Sequence, residues 1–144
     1  MSEVAMSTKV TRYRYLSLIS HLSLLAWMII WYLLLTTSAE YSAAFVLIVY
    51  VLPLLLPLKG IIQAQPYTHA WACFVVLWYF LHSITVIYAE PDYLWHAILE
   101  LFLASAMFIG CSVFARLRGQ ELGTSLPKLS KVMQDEKERF ERSK

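Results

Sequence analysis

Four ionisable side chains fall inside strongly apolar stretches of the sequence: His21, His82, His96 and Glu100. A charge at mid-membrane costs about 2.5–3.5 kcal/mol on the mildest scale, so each needs a partner or a function. Their spacing shows which of them could meet. His82 and Glu100 each lie nine positions from Pro91 in the turn YAEPDY. If the flanking segments are antiparallel helices rising about 1.5 Å per residue, the two side chains come level. His96 stands four positions before Glu100, one turn away on the same helix face. His82, His96 and Glu100 are therefore a candidate intramembrane polar cluster. Its chemistry would be proton or ion binding. The bland alternative is an interhelical hydrogen bond worth about 0.6–2 kcal/mol. Glu100→Gln separates the two, since a structural bond largely survives it and proton coupling does not.

Other chemistries find less support. Axial ligation of haem by two histidines needs both nitrogens at nearly one depth. His82 and His96 differ by about 6 Å on helical rise, His21 lies in the inner half of its span, and His69 lies at the inner surface. Neither haem nor any other cofactor is expected. Cys73 and Cys111 have no CxxC or Cys/His spacing around them, so they read as small packing residues and not as zinc ligands. A nucleotide loop and a nucleophile constellation are both absent, and no nucleic-acid partner is expected.

The elements that must position the cluster follow from composition. Of 144 residues, 59% are hydrophobic and 15% charged, with mean hydropathy +0.57. A soluble domain of this size would need more surface charge. About 20 apolar residues are needed to cross a bilayer core of roughly 30 Å. Four segments qualify, near 15–35, 41–58, 67–89 and 93–115, and none contains Lys or Arg. A cleaved signal peptide would have a shorter apolar core than Leu16–Leu35, and TSA (Thr37–Ala39) is a poor cleavage site. Lys9, Arg12 and Arg14 precede span one, Lys59 separates spans two and three, and Arg116 and Arg118 close span four. The turns after spans one and three contain only Glu40, Glu90 and Asp92 as charged residues. The positive-inside rule then puts both termini and the 59–66 loop in the cytoplasm. The expected fold is an all-α integral membrane protein with four transmembrane helices in an up-down-up-down bundle. Residues 1–14 form a cytoplasmic head, 15–118 the membrane domain and 119–144 a charged, partly helical tail. Trp27, Trp78 and Tyr79 lie deep enough that packing against other helices is expected of them.

Two further groups stand out. In the cytoplasmic loop, Pro57, Lys59, Gly60, Pro66, Tyr67 and Thr68 are a candidate partner surface. Pro53 and Pro57 cannot donate to the carbonyl four residues back, so span two should loosen near its cytoplasmic end, and Gly60 is a natural helix stop. In span four, Ala106 and Gly110 form a small-xxx-small pair suited to close helix packing, within the bundle or in a homodimer. Beyond span four, Ser125 before Pro127 resembles a helix start. Leu126, Leu129, Val132, Met133 and Phe140 give the following helix an imperfect apolar stripe.

Three stretches carry a family resemblance: LPLLLPLKGIIQAQPYTHAWA, WYFLHSITVIYAEP and LELFLASAMFIGCSVFARLRGQEL. Together they resemble the small bacterial inner-membrane family catalogued as domain of unknown function 2069, over about Tyr15 to Leu129. The resemblance implies a four-helix protein of the bacterial inner membrane and transfers no catalytic residue. The leading expectation is a non-enzymatic accessory or scaffold subunit, with the lipid bilayer and a protein partner or second copy as its contacts. The alternative is a small transporter or channel subunit using Glu100, His82 and His96. The small multidrug-resistance transporters are an analogy in size alone, because their intramembrane glutamate lies in the first helix.

Overall fold

The computed structural model describes residues 5–36, 41–123 and 129–144. Among these residues the chain is helical, with no strand. Four helical segments are long and apolar enough to cross a membrane: Thr8–Leu35, Ala43–Ile62, Pro66–Ala89 and Pro91–Glu121. A further helix, Leu129–Arg142, follows them. The TSA stretch and the Ser125–Pro127 helix start lie outside the described residues.

The first and fourth helices outrun the apolar segments that announce them. Span one begins at Thr8, because Ser7 caps it by accepting a hydrogen bond from the Val10 N–H at 3.4 Å. The Ser7 N–H in turn donates to Glu121 Oε1 at 3.0 Å, which ties the start of span one to the end of span four. Arg118 pairs with Glu121 at 3.0 Å one turn earlier on the same helix.

Span four is the spine of the bundle and packs most extensively against spans three and one. Leu24, Met28, Val76, Tyr79, Ala104 and Met107 meet in the core, all fully buried. Gly110 permits a close approach to the backbone of span one. A Cβ there would stand 2.8 Å from the Ser17 backbone nitrogen and 3.0 Å from its Cα. The exterior carries Leu34, Phe74 and Phe102 largely exposed, as a lipid-facing surface requires and a water-facing one would not tolerate in such numbers. Trp78 belongs to this exterior at 44% exposure. It does not pack in the core as its depth suggested, because its position turns it away from the other spans. Tyr79, the next residue, is fully buried and donates its hydroxyl to the Tyr50 carbonyl at 2.6 Å.

Two stretches are wound as π-helix, Ile30–Leu35 in span one and Leu47–Val51 in span two. The second precedes Pro53, which has no N–H to donate and whose ring presses on the preceding turn. Span two therefore loosens near its middle, one turn before Pro53, and not at the end that meets the 59–66 loop. Pro57 is accommodated within the regular helix Leu52–Ile62. In span one the widened turn closes at Thr36, whose N–H and hydroxyl both donate to the Trp31 carbonyl at 2.9 Å.

Gly60 does not stop the second helix, which runs on to Ile62. It is buried, and a Cβ on it would collide with the Thr68 side chain. The stop falls at Gln63, followed by Ala64 in the left-handed region at φ 56°. The Gln65 N–H then returns to the Gly60 carbonyl at 2.9 Å. Ala64 is buried with Val10 and Phe114, so apolar packing holds a backbone conformation that alanine ordinarily avoids.

Candidate functional site

Residues expected to meet across the 90–93 turn do so. His82 Nδ1 lies 2.8 Å from Glu100 Oε2 and 3.0 Å from Oε1. Glu100 is fully buried, and the His82 side chain is 10% exposed. The other ring nitrogen of His82, Nε2, lies 2.6 Å from the Tyr32 hydroxyl. With the proton on Nδ1, His82 donates to the carboxylate and accepts from Tyr32. A Tyr–imidazole–carboxylate chain thus links spans one, three and four.

Local winding presents Tyr32. A π turn takes an additional residue per turn relative to the α form, which rotates the side chains that follow it. Trp31 and Tyr32, adjacent in sequence, therefore stack on one another with centroids 5.0 Å apart. Tyr32 also stacks on Tyr50 at 4.5 Å and 5°, and Tyr50 comes from the other π segment. Edges of the Tyr50 and Trp31 rings meet the His82 ring at 4.8 and 5.7 Å. Two irregular turns thereby bring three rings against one imidazole.

These groups wall a cavity of about 180 Å³ at the end of the bundle that carries the 90–93 turn. Its lining includes Trp31, Tyr32, Tyr50, His82, Glu90 and Tyr93. Glu100 does not reach it and lies behind His82, so Tyr32 and His82 connect the cavity to the buried acid.

His96 takes no part in the chain. Its ring stacks on Trp27 at 5.7 Å and lies 5.5 Å from Trp31, and its backbone carbonyl accepts from Trp27 Nε1 at 3.2 Å. It braces the wall behind the cavity. His21 is fully buried at a separate place, beside Leu54 of span two. His69 is fully buried near the other end, where its Nδ1 lies 2.7 Å from the Gln65 carbonyl. Among the described residues, no three His, Cys, Asp or Glu side chains converge as metal ligands.

The loop group divides. Pro57, Gly60 and Thr68 are buried, and Pro66 is half-buried at the first turn of span three. Lys59 and Tyr67 are exposed, Tyr67 at 79%. Arg14 Nη2 donates to the Ile62 carbonyl at 3.2 Å, clamping the loop to span one. In span four, Gly110 packs against Ser17 and Ala106 is half-buried.

Sequence reasoning missed Tyr32, Tyr50 and Trp31. Their signal was chemical, since a tyrosine hydroxyl inside an apolar span must find a partner. Choosing the partner requires knowing how each helix is rotated about its axis, and the π turns alter that rotation.

A family model described as predicted membrane protein (DUF2069) matches residues 16–119. No curated protein and no solved structure matches the chain.

Proposed function

The chain belongs to the DUF2069 family of predicted membrane proteins, and on that premise we propose a small transporter or channel subunit of the bacterial inner membrane. It binds a small ligand in the aromatic cavity and holds an exchangeable proton on the Tyr32–His82–Glu100 chain. One observation carries this reading: a fully buried carboxylate is joined through both nitrogens of one imidazole to a hydroxyl that lines a cavity. A bond that merely held spans three and four together would need one donor and one acceptor. Here a third group continues the chain to the cavity. An accessory or scaffold role draws on the small soluble mass of the chain and on no feature of the site.

The proposed arrangement is up-down-up-down with both termini cytoplasmic, residues 1–14 as head, 15–118 as membrane domain and 119–144 as tail. The up-down order is supported by contact register. Ser17 lies against Gly110, Trp27 against His96 and Trp31 against Tyr93, so position rises in one span as it falls in the other. The orientation is supported by the placement of every Lys and Arg in the head, the 59–66 loop, the closing turn of span four or the tail. The cavity then opens on the outer side.

Infrared difference spectroscopy of the protein in nanodiscs, recorded as pH is changed, tests the proton. A reversible carboxyl band is expected that disappears in Glu100→Gln and moves in His82→Gln. Tyr50, Tyr79, Glu90, Tyr93 and His96 surround the chain, and Glu90→Gln serves as the control for the other nearby acid. If Glu100 keeps one protonation state wherever the fold is intact, the chain is a structural bond and the reading fails.

A further inference from the structure

We infer that the cavity takes a small organic ammonium ion, quaternary or a protonated amine. The inference rests on the binding role proposed above and names the ligand class of that site.

Three properties of the walls converge on a cation. The first is π surface. Trp31, Tyr32, Tyr41, Tyr50 and Tyr93 line the cavity. Tyr32 is stacked against both Trp31 and Tyr50, so the other rings are the ones whose negative faces would attract a cation within about 6 Å. The second is charge. Glu90 lines the cavity and is exposed, while Glu100 stands directly behind the His82 ring. Among the described lining residues there is no Lys or Arg. The third is hydrogen-bond polarity. The lining hydroxyls of Thr36 and Thr85 donate to the carbonyls of Trp31 and Leu81 at 2.9 and 2.7 Å. They therefore offer their lone pairs to the cavity. The Tyr32 proton is similarly engaged at His82.

A cavity of about 180 Å³ has room for several water-sized groups. That admits choline, tetramethylammonium or a short alkylamine. Aromatic rings paired with a carboxylate recognise the charge in an apolar setting without requiring the ligand to accept hydrogen bonds. Electrostatics at the mouth assists, because Glu90 and Asp92 are the charged residues of the adjoining 90–93 turn.

The test is isothermal titration of the full chain in nanodiscs with choline, tetramethylammonium, n-butylammonium and 3,3-dimethylbutan-1-ol, the uncharged isostere of choline. Saturable binding of an ammonium ion is expected, with the isostere about tenfold weaker. Tyr93→Leu should weaken the ammonium ion by about 2- to 30-fold, the usual strength of one such ring contact, whereas Tyr93→Phe keeps the ring and the affinity. Glu90→Gln should weaken the ion and leave the isostere unchanged. A melting temperature within a few degrees of wild type qualifies each variant as folded. Equal binding of choline and its isostere overturns the inference, as does indifference to both Tyr93→Leu and Glu90→Gln. If no ammonium ion binds while Glu100 still titrates, the ligand class is wrong and the proton reading stands. If choline binds with the expected selectivity while Glu100 does not titrate, the ligand class stands and the proton reading falls.

Discussion

Replacing His82 with leucine should reveal the charge state of the buried pair. The substitution removes the partner of a carboxylate that has no access to water. Magnitude separates two cases. A neutral interhelical hydrogen bond in a membrane bundle averages about 0.6 kcal/mol and rarely exceeds about 1.7. Loss of the partner of a buried carboxylate anion costs about 3–5 kcal/mol, because the charge is left uncompensated. Both carboxylate oxygens lie within 3.0 Å of His82 Nδ1, which is charge-assisted geometry. His82→Leu should therefore cost about 3 kcal/mol, including the loss of the acceptor for the Tyr32 hydroxyl. Glu100→Gln keeps an acceptor and should cost about 1 kcal/mol. The double variant His82→Leu/Glu100→Leu exchanges the pair for apolar volume and should recover to within about 1 kcal/mol of wild type. Unfolding in mixed micelles, followed by tryptophan fluorescence, gives all corners of the cycle. A cost near 0.6 kcal/mol for His82→Leu, with additive double-variant behaviour, would refute a charged Glu100 carboxylate.

Two glycines should respond differently to added bulk. Gly60→Ala drives a methyl group into Thr68 and should cost about 1–3 kcal/mol, with much of the loss recovered by adding Thr68→Gly. Gly110→Ala should cost at least as much and resist rescue by Ser17→Gly, because the nearest atoms are the Ser17 backbone nitrogen and Cα. Unfolding midpoints in detergent decide both. Orientation is checked with a membrane-impermeant maleimide on whole cells, in a background where Cys73 and Cys111 are replaced by alanine. Asp92→Cys should label from outside, and Lys59→Cys and Ser143→Cys only after the membrane is opened; the reverse pattern would invert the proposed topology.

The four spans were legible in the sequence because a bilayer imposes a one-dimensional requirement. Each crossing must be long and apolar enough, and every such run is visible without knowing what it touches. The level meeting of His82 and Glu100 was legible for a related reason. A short turn joins two helices of constant rise, so equal distances from Pro91 become equal depths. Close packing at Gly110 was also readable, since only a small residue lets backbones approach.

The third member of the chain was not readable. Tyr32 reaches His82 because span one is wound as π-helix from Ile30 to Leu35, and a regular period would have aimed its side chain elsewhere. His96 shares a helix face with Glu100 in sequence, yet the neighbouring rings of Trp27 and Trp31 draw it into a stack. Gly60, whose type suggested a helix end, lies inside the helix beneath Thr68, while Ala64 makes the turn. The sequence alone determined membrane insertion, span number and the depth of the polar residues, since these depend on composition and rise along one axis. Tertiary structure decided which side chains bond and where a cavity remains. Those outcomes depend on helix rotation, and rotation is set by packing among all four spans together.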